Sequence, residues 1–409
     1  MASVTTTTAA NALKDVYLPV IREMLNNSVE FLRQAGTNTQ DIEGKNAVLS
    51  LHMKRNSGVG ARAEGGTLPT AGSQSYAEQR IPVYSMYGRI KLSGQVIEAM
   101  KSDRGSFGRA LETETKGVTA DTQRDYNRQL WGTSNGVIAT VASESSNVIT
   151  LNAATTTTQL RQLEVGMVID VGTVADPTLR GAGLEITAVT RATPSITVSG
   201  TVVGTPTTTD FIFRSGAGGD TTNGTQKEIT GVPTIVAGSG TLHNVNPTTY
   251  PSWASTTSDN SGTDRAATDV VFETVLDDVR HEGGSEIDQI WVGSAVKRNF
   301  AAQLKTLRRF DNTLELKGGF KAPSVDIGRG EVALIDERDV PEGAAYCMSM
   351  DHMIEFVMSD WDFMDMDGSV LKFVDNEDAY QAVLRTYREL ATDKRNAHAY
   401  VSDLETTNG

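Results

Sequence analysis

The chain has 409 residues, 38% apolar and 6% aromatic, with 51 acidic and 37 basic side chains for a net charge of −14. That length allows two or three domains with sizeable cores, and that charge opposes tight gripping of nucleic acid, which is largely Lys and Arg work. A single cysteine, Cys347, excludes an internal disulfide and a multi-cysteine zinc site, no apolar run approaches a membrane span, and the opening MASVTTTTAANALKD lacks the basic and apolar parts of a secretory signal, so folding in a cytosol is expected.

Residues 1–10 are a low-complexity Thr and Ala stretch, expected as an extended arm. Residues 11–34 have a helical period broken at Pro19, with Val20, Met24, Val29 and Leu32 on one face. Residues 42–92 form a Gly-rich excursion between two strand-like limbs, 46–53 (NAVLSLHM) and 80–92 (RIPVYSMYGRIKL). Inside it Gly58, Gly60 and Ala63 spell G-x-G-x-x-A, the shape of a dinucleotide-binding loop. Such a loop must open a helix whose N-terminus holds the pyrophosphate. Gly65, Gly66, Pro69 and Gly72 follow instead, and that window cannot carry a helix. A long loop is the better reading.

Val96, Ile97 and Met100 mark a short helix, and Ser106 is placed to cap a long one. Leu111, Thr115, Val118, Thr122, Tyr126 and Leu130 recur at steps of three and four. The helix 106–131 is therefore about 40 Å long and mostly polar, with one narrow apolar stripe suited to lying along a sheet. From 133 to 216 short strands (147–151, 167–171, 184–189, 195–198, 211–214) alternate with turns, the pattern of a small barrel or sandwich inserted into a host fold. Beyond 231 the pattern predicts a helix at 266–280, a strand at 287–292, and a helix at 295–307 capped by Ser294. Strands follow at 331–335, 344–348 and 353–358, then a long hairpin over 379–404 turned at 393–396.

Chemistry has little foothold. The five histidines, His52, His243, His281, His352 and His398, have no metal-ligand spacing. In SDWDFMDMDG (359–368), setting Gly368 at the turn of a calcium loop puts Phe363 and Val374 in the end ligand slots, so the loop cannot close on calcium. Lys45 has Thr39 where a Walker loop needs glycine, and no G-x-S-x-G elbow occurs. Cys347 lies in an apolar strand and reads as a core residue. No catalytic residue, metal or cofactor is expected.

The order of parts resembles the major capsid proteins of tailed bacteriophages, the Hong Kong 97 type fold. RNSGVGARAEGGTLPTAG leading to YGRIKLSGQVIEAM resembles their extended loop entering the spine helix, and RDYNRQLWGTSNGV the end of that helix. NPTTYPSWAS and EVALIDERDVPEGAAYCM resemble later segments. The resemblance implies an α+β capsid fold divided into an N-terminal arm (1–41), an extended loop (42–92), the spine helix of the P-domain (93–132), an inserted β domain (133–216), an A-domain (217–368) and closing P-domain strands (369–409). It implies a non-enzymatic protein that assembles with copies of itself into hexamers and pentamers of an icosahedral head around double-stranded DNA. Further implied partners are a separate scaffolding protein, a portal and a decoration protein, with synthesis in a bacterial cytoplasm and no membrane. In the family the extended loop lies across a neighbour, and a flexing tip suits glycines.

Charge supports that contact independently. Residues 45–91 carry seven basic and two acidic side chains, +5, whereas 350–378 carry nine acids against Lys372, −8. Opposite signs favour docking and fix register. The candidate interface residues are Lys54, Arg55, Arg62 and Arg89 on the loop and Asp375, Glu377 and Asp378 opposite; the bland alternative is two solvated faces. Some family members weld subunits through a Lys–Asn isopeptide bond. DNEDAY (375–380) resembles the region that carries the Asn, but an acid or Ala falls at the reactive position, with Asn376 close by, so no crosslink is expected. Two rival readings stand. One is an encapsulin-like compartment for protein cargo; the other is a secreted carbohydrate-binding β protein, suggested by the Thr-rich strands.

Overall fold

A computed structural model describes residues 30–39, 42–95, 104–152, 157–173, 179–204, 206, 208–218, 226–306, 313–315, 321–326, 331–365 and 370–406. The arm at 1–10, most of the 11–34 helix and the short helix near 96–100 lie outside them. The protein is mixed α+β. Helix α1 (Glu30–Gln34) sends Phe31 and Leu32 into the main core. Strands β1 (Gly36–Asn38) and β2 (Ile42–Glu43) follow.

Strand β3 (Asn46–Lys54) alternates as its sequence does, burying Ala47 and Leu51 and exposing Val48, Ser50 and His52. It pairs antiparallel with β4 (Ser75–Pro82), from Asn46↔Pro82 to Lys54↔Ser75. The return limb of the excursion is therefore 75–82, not 80–92. Strand β5 (Tyr84–Ser93) leaves the hairpin and pairs with a strand of another sheet. The pattern hid this break because β4 and β5 alternate alike, each burying every second residue.

The long helix, α2, spans Arg104–Leu130. Ser106 lies inside its first turn and so is not its cap. The buried stripe contains Thr115, Thr119, Thr122, Tyr126 and Leu130, close to the spacing read from sequence. Strands β6 (Val137–Ser145), β7 (Val148–Leu151), β8 (Val168–Gly172), β9 (Leu179–Thr190), β10 (Ser195–Ser199) and β11 (Phe211–Arg214) close into a barrel in the order β10-β7-β6-β11-β8-β9. Closure leaves no edge to template aggregation. The barrel has its own core, including Ile138, Val141, Ile169, Ile186 and Ile212. Helix α3 (Thr157–Arg161) interrupts it, and the turn-rich reading missed both α3 and β6.

After α4 (Val232–Ile235) come β12 (Thr256–Ser258), α5 (Asp269–Gly283), β13 (Gln289–Val292), α6 (Ser294–Thr306), β14 (Thr313–Glu315), β15 (Lys321–Asp326), β16 (Glu331–Asp336) and β17 (Ala345–Met348). Thr268 caps α5 by accepting from the Val271 amide at 3.3 Å, and Gly284, at φ 64°, ends it. Ser294 is the first residue of α6, not its cap. Strands β18 (Met353–Phe363), β19 (Lys372–Phe373), β20 (Ala379–Thr392) and β21 (Ala399–Val401) complete the chain.

One sheet runs β1-β18-β20-β19 with β5 on β20, and a second runs β12-β21-β17-β13-β16-β15-β14. Strands β20 and β21 thus lie in different sheets, and the expected hairpin over 379–404 does not exist. Strand β18, expected with the A-domain, joins β20, whereas β21 joins the second sheet. The buried Arg395 between them explains the break. Its guanidinium donates to the carbonyls of Ile235 (2.9 Å), Gly240 (2.8 Å), Thr234 (3.1 Å) and Ser239 (2.9 Å), anchoring the chain where a hairpin would have turned back. Between the sheets, Phe31, Trp131, Trp291 and Tyr346 pack ring to ring at 5.6–5.7 Å.

Candidate assembly interface

The β3–β4 hairpin is rooted in its own subunit. Ala47 and Ile81 pack with Phe356 and Ala391, and the Ser252 hydroxyl donates to the Met53 carbonyl at 3.5 Å. Its other face is open, with Val48, Tyr76 and His52 exposed and the His52 and Tyr76 rings 5.3 Å apart. Beyond it the tip, 55–74, carries no strand or helix, so the glycine pattern is no phosphate cradle. Gly72 is needed for close approach, since a Cβ there would strike Asn56 and Ser57, and Gly65 holds φ 73°. The tip presents Val59 at 79% and Leu68 at 82% exposure.

Lys54 ends β3 and is exposed, as are Arg55 and Arg62 in the tip. Arg62 donates to the carbonyls of Thr67 (3.0 Å) and Ala61 (2.8 Å), which shapes the tip. The acids occupy the β19–β20 turn, where Asn376 takes φ 63° and the Glu377 amide donates to the Val374 carbonyl at 3.2 Å. Tip and turn adjoin opposite ends of the run β4–β5, the Ser75 end and the Ser93 end. No ion pair joins them among the described residues.

The structure instead places Glu377 beside β5. Arg89 lies on β5, outside the hairpin, and Glu377 is paired with Lys91 two residues on. The hydrogen bond and charge of Lys91, with Arg89 beyond, hold the Glu377 carboxyl below the usual carboxylate range. Asp378 abuts Gly94, whose amide donates to the Asp378 carbonyl at 2.7 Å. Glu377 thus has an in-chain partner in Lys91, and Arg89 lies two residues before Lys91 on the same exposed face of β5. Asp375, Glu377 and Asp378 are all exposed, and Asp375 has no ion pair among the described residues. Period-2 alternation could have revealed this grouping, since Arg89 and Lys91 share one face of β5.

Sequence reasoning also missed the barrel's attachment. The chain leaves α2 at Gly132 and returns at Gly231, and a Cβ on Gly231 would collide with the Gly132 carbonyl. The Gly231 amide donates to the Ser134 hydroxyl at 3.0 Å. Beside this crossing, buried Arg128 makes a two-point pair with buried Glu228 and donates to Asp125 at 3.1 Å. Outside it the contacts are exposed ion pairs, Arg124–Glu164 (3.1 Å) and Arg338–Glu164 (3.6 Å), around a polar cavity of about 230 Å³. No periodic signal distinguishes a buried Arg128 from a solvated one.

One arrangement looks catalytic. His352 lies 2.9 Å from Asp393 through Nδ1 and 3.4 Å from the Ser285 hydroxyl through Nε2. Ser285 is buried, however, and Lys394 donates to its hydroxyl at 2.6 Å, so the group ties chain segments together rather than facing a substrate. Cys347 is fully buried, and burial pushes its thiol up to about 12. Among the described residues no helix is long and apolar enough to cross a membrane.

No family model and no curated protein sequence matches the chain. Solved structures do. The Cyanophage A-1(L) capsid asymmetric unit aligns with a TM-score of 0.53 at 11% identity, over 92% of this chain and 93% of that one. The SrpI encapsulin complex of Synechococcus elongatus gives 0.47 at 8% identity, over 92% and 88%. A native GTA particle capsid gives 0.44 at 9% identity, over 91% and 90%. At such identity the cyanophage alignment speaks to architecture, and the architecture of this chain is that of a phage capsid protein, the Hong Kong 97 type fold.

Proposed function

We propose that the chain is a major capsid protein that assembles into hexamers and pentamers of an icosahedral head around phage double-stranded DNA, without catalytic turnover. The observation that carries this reading is the fold likeness to the cyanophage capsid chain over nearly the whole length of both. The contrast between +5 and −8 segments fits a protein whose ligand is its own copy. On this reading it is made in a bacterial cytoplasm, resides in the virion, and works with separate scaffolding, portal and decoration proteins. Co-expression with its scaffold should yield closed particles by electron microscopy, running in denaturing gels as one band at 43.9 kDa because no isopeptide bond forms. A chain that stays monomeric there refutes the reading. Particles filled with protein and free of DNA in infected cells would favour a cargo compartment.

The barrel is read as an insertion into the host fold. The contact between Gly132 and Gly231 supports this, because the host can close without it. A variant joining 132 to 231 through a short glycine linker should fold, with the host's melting temperature within about 8 °C of the full chain. Shells built from it should be weaker. Failure of the host to fold would sink the insertion reading.

The tip is read as docking on a neighbour's acidic turn. Each exposed pair is worth only about 0.2–1 kcal/mol, but a shell repeats it many times. Arg62→Glu should lower shell yield at low salt while sparing the subunit's melting temperature, and Asp375→Lys should restore part of the loss. Salt near 1 M should mimic Arg62→Glu, because screening then acts within about 3 Å. Equal shell yields for wild type and Arg62→Glu at low salt would exclude the contact.

A further inference from the structure

At the root of the β3–β4 hairpin, three elements meet on one imidazole. The turn Leu242–Val245 is closed by the Leu242 amide to the Val245 carbonyl (3.0 Å) and the reverse bond (2.9 Å), with φ 45° at His243 and 72° at Asn244. Positive φ at both central residues makes a tight two-residue turn that matches strand twist, and His and Asn tolerate it better than most residues. The His243 carbonyl accepts from the Arg80 amide of β4 at 3.1 Å, so the turn grips the hairpin root.

The side-chain contacts fix which ring nitrogen is bare. The buried Gln79 Nε2 donates to the Thr392 carbonyl of β20 at 3.1 Å and lies 3.3 Å from His243 Nδ1. A carbonyl can only accept, so the Gln79 amide is oriented, and Nδ1 must accept from it. The ring proton is then on Nε2, facing the Thr230 hydroxyl at 3.3 Å and Glu389 Oε1 at 3.6 Å. Gln79 Oε1 and Glu389 Oε2 are buried and have no hydrogen-bond partner among the described residues.

We propose that His243 is a protonation-sensitive latch that decides whether Gln79 at the hairpin root is hydrogen-bonded to β20. A proton taken from solvent by Nδ1 would set one donor against another. Relief requires the Gln79 amide to rotate, which turns its idle Oε1 to the new N–H and removes its bond to Thr392. The acid form therefore keeps the hairpin on the 242–245 turn and loses its Gln79–Thr392 hydrogen bond to β20, while Ala47 and Ile81 stay packed on Ala391. The ionisable groups facing this ring and its partner are Glu389 from β20 and Tyr84 from β5. Burial, then the charge of Glu389, raises the Tyr84 phenol above its usual value, so it stays neutral throughout the imidazole range. Gln79 from β4 and Thr230 before α4 are uncharged.

Amide hydrogen exchange on the unassembled full-length chain, corrected for intrinsic rates, tests this between pH 8 and 5. Protection of the Gln79 side-chain amide protons should fall about tenfold, the change expected from one hydrogen bond, while the Arg80 backbone amide, held by the His243 carbonyl, and β17 stay as protected as before. His243→Asn, which tolerates the left-handed backbone but does not titrate, should abolish the response. Equal protection at both pH values, or a response that survives His243→Asn, overturns the proposal. Should that variant not fold, ring nitrogen shifts of the wild type decide: His243 Nδ1 must gain its proton in the pH interval where protection falls, and a mismatch overturns the latch. Neither outcome depends on whether the chain builds a shell.

Discussion

Replacing Arg128 by alanine should lower the unfolding free energy by about 3–5 kcal/mol, the usual cost of stranding one member of a buried ion pair. Glu228 would stay behind at 4% exposure with its two-point partner gone, and Asp125 would lose its 3.1 Å donor. Burial opposes the Arg128 charge, but Glu228 and Asp125 more than offset it and raise the guanidinium pKa above its ordinary value. The double replacement Arg128→Met with Glu228→Leu should recover most of the loss, because an apolar pair of similar volume is often neutral at such sites. Urea unfolding followed by tryptophan fluorescence reads both values. A loss below about 1 kcal/mol for Arg128→Ala would mean that water reaches Glu228 and the clamp is not dry.

Acid should attack the protein through His398. Burial, helped by His352 and Arg395, depresses its imidazole from 6.5 to about 3. The ring is fully buried, accepts from the Ser349 amide at 3.3 Å and pairs with the Thr392 hydroxyl at 2.9 Å. Because the folded pKa lies below the unfolded one, the unfolded chain takes the proton first. Stability from this residue is intact above about pH 6.5 and drains away as pH falls toward 3, by about 3 kcal/mol at pH 4. His398→Asn should cost about 1 kcal/mol at pH 7 through the lost hydrogen bond. The gap to wild type should close and then reverse on acidification. Urea midpoints at pH 7, 5 and 4 check this, and a gap independent of pH would rule out His398 as the acid-sensitive group.

Where periodicity is set by burial on one face, the sequence was readable. Strand β3 and the stripe 115, 122, 126, 130 of α2 emerged within a residue or two, because alternation and the 3.6 repeat record directly which side meets the core. Pairing was not readable in the same way. Strands β4 and β5 alternate identically, and only tertiary register sends one to a hairpin and the other to β20. The split of β20 from β21 depends on Arg395, whose four carbonyl partners lie about 160 residues away in sequence. For the interface the residue types were visible, since the charge contrast is a matter of composition. Which acid is free was not, because Lys91 claims Glu377 across the β5–β20 ladder.

The crossing of Gly132 and Gly231 has a mechanical consequence. Tension along the backbone would ordinarily pass through every strand of the barrel in series, since the barrel lies in the middle of the chain. The crossing, with the Ser134–Gly231 hydrogen bond and the Arg128–Glu228 clamp beside it, provides a shorter route from α2 to α4. Force then bypasses the barrel until that clamp yields, so the barrel's strands can be remodelled without weakening the path that bears strain.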